Sequence, residues 1–233
     1  MTETRKDAGL ISFDATSDET RSEYDRQLHL ALQRMEILPE TATELDRAKI
    51  KLDIAEARTG LGETAQAWDI ARQAFDSYVE AEQWQDAVEA AEVLYHTNEP
   101  ANIVALAHGV WLSITYPVKP QTTVTMLNYV VDETPDNSDG AAVAAATAHY
   151  IAGVRASDDE FESLSFLTRN MIGKVAERHS NVTSQDQLDK WMAKLEINDP
   201  KSFLPRMGKI LDIIVIDQWW IDRDALRSKL PVN

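Results

Sequence analysis

Residues 74–100 read AFDSYVEAEQWQDAVEAAEVLYHTNEP, and the punctuation of this stretch decides the fold. Ala74, Phe75 and Tyr78 continue an apolar stripe that begins at Ala67, Ile70 and Ala71, with the three- and four-residue intervals of one helix face. After Glu82 and Gln83 the same period resumes at Ala87, Val88, Ala91 and Leu94. Two amphipathic helices joined by so short a turn must fold back on each other as an antiparallel hairpin. Asn98-Glu99-Pro100 is expected to start the next helix, Asn98 as its cap and Pro100 in a first turn that needs no N–H donor.

Working outward, stop signals recur every few turns, the rhythm of helical hairpins in tandem. Upstream, Asp18 opens a helix carrying Leu28, Leu30, Leu32, Met35 and Ile37. Leu38-Pro39 breaks it, and Thr41 or Thr43 caps a second helix that ends at Gly60-Leu61-Gly62. Downstream, the segment from Ala101 to Ile114 is apolar nearly all round, which predicts burial. Helices follow at Pro120–Asp132, at the alanine-rich Gly140–Val154 and at Phe161–His179, whose apolar side reads Leu164, Phe166, Leu167, Met171, Ile172 and Val175. Ser184 caps another helix, Pro200 and Pro205 frame a connector, the β-branched run Ile210–Ile216 is read as helix, and Asp222 caps a last short one. The fold class is therefore all-α, with antiparallel hairpins stacked as a short solenoid. Residues 1–17 form an acidic arm, 18–180 the hairpin array, and 181–233 a C-terminal helical cap within the same domain.

The residues at the centre of this array resemble a tetratricopeptide hairpin. Tyr78, Trp84 and Ala87 match that family's first-helix aromatic, turn aromatic and helix-crossing alanine, and Pro100 falls one residue from its closing proline. A second match, Ile54-Ala55, Arg58, Gly62, Ala67, Ala71 and Ala74, shares the third helix with the first. Thirty-four residues beyond Ala87 stands Gln121, which breaks the pattern, so the resemblance covers about residues 48–100. It implies a concave protein-binding surface to which Tyr78 and Trp84 contribute.

Charge and composition narrow the chemistry. The formal net charge is −16, yet residues 186–233 hold eight acids and eight bases, so the excess lies upstream. Residues 62–99 hold nine acids against Arg72 alone. Such a surface repels phosphate backbones and anionic lipid, and it suits a protein partner with a basic surface. With no cysteine there is no disulfide, thiolate nucleophile or Cys-based zinc site. No phosphate loop, dinucleotide fingerprint, Gly-x-Ser-x-Gly elbow or metal-binding helix motif occurs, so neither cofactor nor metal is expected. The absence of an apolar signal-peptide core and of any membrane-length run points to the cytoplasm.

Candidate sites are few. On a helix Trp219 and Trp220 would point about 100° apart, leaving one ring exposed as a partner contact; the alternative is that both pin the C-terminal segment onto the array as a cap. Leu10, Ile11 and Phe13 form an apolar patch in the arm. His108, His149 and Tyr150 would line a pocket between the helices that start near Pro100 and Gly140. The leading expectation is a non-enzymatic adaptor or assembly factor holding a partner peptide or subunit. The alternatives are an enzyme or small-molecule sensor using that pocket, and a structural subunit of a larger complex.

Overall fold

A computed structural model describes residues 18–230, which form eleven α-helices; among the described residues there is no strand. The array begins with α1 (Asp18–Glu36), α2 (Glu44–Leu61), α3 (Thr64–Glu80) and α4 (Trp84–His96). It continues through α5 (Asn102–Thr115), α6 (Pro120–Glu133), α7 (Asp139–Arg155) and α8 (Asp158–Ser180). Then come α9 (Gln185–Lys194), α10 (Pro200–Val215) and the single turn and a half of α11 (Arg223–Ser228).

Local chemistry sets these boundaries. Thr43 and Asp46 make a reciprocal capping box at the start of α2, and Gly62 ends that helix in the left-handed region at φ 82°. Ser157 and Glu160 build a second box, which starts α8 three residues ahead of Phe161. Pro120 and Pro200 occupy first turns, where a missing N–H costs nothing. Two expected boundaries move. Asn98 does not cap α5; it takes φ 56°, a conformation asparagine tolerates, and closes α4, so α5 begins only at Asn102. Pro205 does not break the chain, because on the exposed second turn of α10 it withdraws only one backbone bond.

Each helix from α1 to α8 packs on the next, giving the stack of hairpins. The even-numbered helices α2, α4, α6 and α8 also touch one another in succession, whereas the odd-numbered ones scarcely do. The odd layer is thus splayed. The C-terminal segment fills the opening: α9 packs on α8, then α10 lies against both α5 and α7. Helix α7 accommodates this crowding because Ala141, Ala142, Ala144, Ala145, Ala148 and Ala152 are fully buried and have no side chain beyond Cβ to hold a neighbour off. Gly109 serves the same end in α5, since a Cβ there would fall 3.0 Å from Ala91 Cβ and 2.4 Å from Met126 Cε.

One stack-facing expectation fails. On α8, Leu164, Met171, Ile172 and Val175 are buried, but Phe166 is 69% and Leu167 45% exposed, because the helix turns only one stripe toward α7. Leu30 and Leu32 of the terminal helix α1 are likewise exposed, and Ala31 is its buried contact.

Candidate functional site

Helix α5 places His108 at the centre of the splayed face, fully buried. Its Nδ1 lies 2.7 Å from the carbonyl of Val104, one turn back, and its Nε2 lies 2.8 Å from the backbone N–H of Trp220. A carbonyl can only accept and an amide N–H can only donate, so the ring is the neutral tautomer with its proton on Nδ1. Burial pushes its pKa down to about 4, and the Arg72 and Arg223 guanidiniums push the same way.

The two tryptophans leave the helix and settle around this histidine. Trp220 stacks on the imidazole at 4.3 Å between centroids and meets Trp68 and Phe75 edge-on at 5.9 and 5.7 Å. Trp219 lies 4.8 Å from His108 and 6.3 Å from Trp111. Arg72 covers the Trp220 ring at 4.2 Å and Arg223 the Trp219 ring at 3.9 Å. The pair lies in a loop between α10 and α11, where both rings turn inward and each is half-buried. Further along, the Tyr116 hydroxyl donates to the carbonyl of Leu226 at 3.1 Å, and Lys229 pairs with Glu82 at 2.6 Å. Residues 216–230 are thus a strap laid across α3 and α5.

The other candidates sit elsewhere. His149 is half-buried on α7 with Nδ1 2.8 Å from Thr168 Oγ1, and Tyr150 meets Phe203 edge-on. No hydrogen bond or ring contact joins either to His108, and two surface depressions, one on α8 around Phe161 and Phe166 and one beside Val182, are lined by none of the three. Tyr78 is buried, and Trp84 stacks face to face on Tyr116 at 3.8 Å. Leu10, Ile11 and Phe13 fall outside the described residues. Among the described residues no three His, Asp or Glu side chains converge where a metal could sit, and no helix is long and apolar enough to cross a membrane.

The even layer carries a second constellation that the sequence did not single out. Asp53 and Glu56 of α2, Glu89 and Glu92 of α4, and Tyr129 of α6 form a run across three helices. Burial raises the pKa of Glu56 and Glu92, and neighbouring carboxylates add to it: Asp53 and Glu89 act on Glu56, Glu89 and Glu56 on Glu92. Glu56 is exposed at the surface, and its shift has the same direction as that of the half-buried Glu92. The Tyr129 hydroxyl donates to Glu92 at 2.9 Å, and Arg34 pairs with Asp53 at 2.6 Å. Among the described residues no ion pair joins Glu56 or Glu89 to a basic side chain. Gaps of three residues on α2 and on α4 were visible in the sequence; the juxtaposition of the two helices was not.

Comparison with protein-family models, with curated proteins and with solved structures returned no match.

Proposed function

We propose that the chain is a non-enzymatic adaptor or assembly factor of the cytoplasm, a tetratricopeptide-like hairpin array that holds a basic segment of a partner protein against its even-numbered helices. One observation carries this reading. Burial, with the carboxylates of neighbouring helices adding to it, raises the pKa of Glu56 and Glu92, a cost that a cation bound beside them relieves. A lysine- or arginine-bearing segment lying across α2, α4 and α6 would supply that cation repeatedly. The site favours charge matching over shape, so association is fast and salt-sensitive.

Titration of a fluorescent Lys/Arg-rich peptide into the full chain tests the proposal. Glu56→Gln/Glu92→Gln should weaken binding about tenfold, equivalent to 1.4 kcal/mol, while Asp158→Asn/Asp159→Asn, on the exposed first turn of α8, should leave it unchanged. Equal weakening by the two pairs would mean that the peptide senses overall charge alone, and the assignment of the even layer would fail.

A further inference from the structure

The strap is joined to α10 through a backbone that L-residues avoid. Ile216 has φ 47° and Asp217 φ 61°, two successive left-handed residues without a glycine, and the first is β-branched. A left-handed residue commonly ends a helix, but glycine usually fills the place. Nothing in the packing of Ile216 offsets the strain: its side chain is 72% exposed, and Ile213, one turn earlier, is 73% exposed. Beyond the hinge, α11 has no buried residue. What holds the strap is the Trp220 amide on His108, the two aromatic rings, the partly buried Ile221, Leu226 and Leu230, the Arg223–Asp212 ion pair at 2.7 Å, Tyr116 on Leu226, and Lys229 on Glu82.

We propose that residues 216–230 are exchangeable, and that the groove between α3 and α5 accepts the same strap from a second copy of this chain. The occupant is fixed by what the structure shows: the one segment known to fit Trp68, Phe75, His108 and Trp111 is the strap itself. Reciprocal exchange keeps each of those contacts and changes only the hinge. Continuing α10 through residues 216–218 returns Ile216 and Asp217 to the right-handed region. It also sets Ile213 and Ile216, three residues apart, on one helix face, where the matching pair of the second copy can cover them. The product is a closed two-fold dimer, with each copy supplying the other's aromatic pair. Closure within one copy competes through its high effective concentration, so exchange grows with protein concentration and is driven by release of strain at both hinges. This surface is separate from the acidic even layer, and either reading can fail without the other.

The absence of cysteine makes the test direct. Glu82 and Lys229 are exposed partners on the groove and on the strap. Full-length Glu82→Cys and Lys229→Cys single variants are mixed at concentrations up to ~1 mM, the scale of effective concentration for a short tether, and treated with a short bismaleimide. A crosslink between residues 82 and 229 in that mixture can only join two copies. We expect it to rise with concentration and to fall at least tenfold when both partners also carry Ile216→Gly and Asp217→Gly, which relax the hinge. Crosslinking confined to the Glu82→Cys/Lys229→Cys double variant as a monomer would overturn the proposal. A dimer seen by light scattering without the 82–229 crosslink would also overturn it, since the contact would then lie on another surface.

Discussion

At the scale of single residues, His108 shows how a titratable group becomes a fixed structural part. Both ring nitrogens are committed, one to a carbonyl and one to an amide hydrogen, so protonating Nε2 would oppose two donors across 2.8 Å. The native pKa of about 4 lies below the ordinary value of 6.5. Between those values the unfolded chain holds the proton and the folded chain does not, so stability falls as pH drops from about 6.5 and levels off below about 4. The total is at most about 3 kcal/mol. Glu56 and Glu92 act in the opposite sense, because their native pKa values are raised: the folded chain keeps their protons longer, and stability declines as pH rises through the carboxylate range. His108→Gln separates the two effects. Urea titrations from pH 4 to 7 should show the variant's stability rising less with pH than the parent's, or falling where the parent's is flat, and a pH dependence unchanged from the parent would contradict the neutral, doubly bonded imidazole.

At the scale of elements, the packing depends on what the helices lack. Alanines on α7 and Gly109 on α5 let backbones approach where larger residues would hold them apart. Gly109→Val should destabilise by about 1–3 kcal/mol through overpacking against Ala91 and Met126, read as a lower urea midpoint with the m-value unchanged. Elements were the most legible part of this molecule. Thr43, Gly62, Ser184 and Asp222 act on neighbours within four residues, so their caps could be read from order alone. Asn98 could not, because cap and left-handed terminator are both asparagine roles, and only the position of the following turn decides between them. The fate of Trp219 and Trp220 was hidden for a different reason: Trp68, Phe75 and His108 are more than a hundred residues away in the chain. The burial of His108 was foreseeable from the all-apolar character of α5, whereas its bond to the Trp220 amide was not.

At the scale of the whole molecule, charge is the dominant sequence-level signal. A net charge of −16 concentrated before residue 186 sets the array against itself at low ionic strength. Screening should therefore stabilise it. Raising salt from 20 to 300 mM is expected to increase the thermal midpoint by roughly 2–4 °C, equivalent to about 1 kcal/mol for a chain of this size, and a midpoint that falls would show that attractive pairs outweigh the repulsion. The same imbalance was readable as composition but not as a surface. Asp53, Glu56, Glu89 and Glu92 become one feature only after α2 and α4 are laid side by side, a consequence of the even-numbered helices packing in succession.

The strap also sets an order of events in time. Helices α1 to α8 find their partners among immediate neighbours, so each hairpin can close as it is made. By contrast, the Tyr116–Leu226 and Glu82–Lys229 contacts span 110 and 147 positions. At a synthesis rate of about 5–20 residues per second, the floor of Trp68, Phe75, His108 and Trp111 is complete on the order of ten seconds before residue 220 exists. Each newborn molecule therefore passes through an interval with this aromatic floor bare, until the strap arrives to cover it.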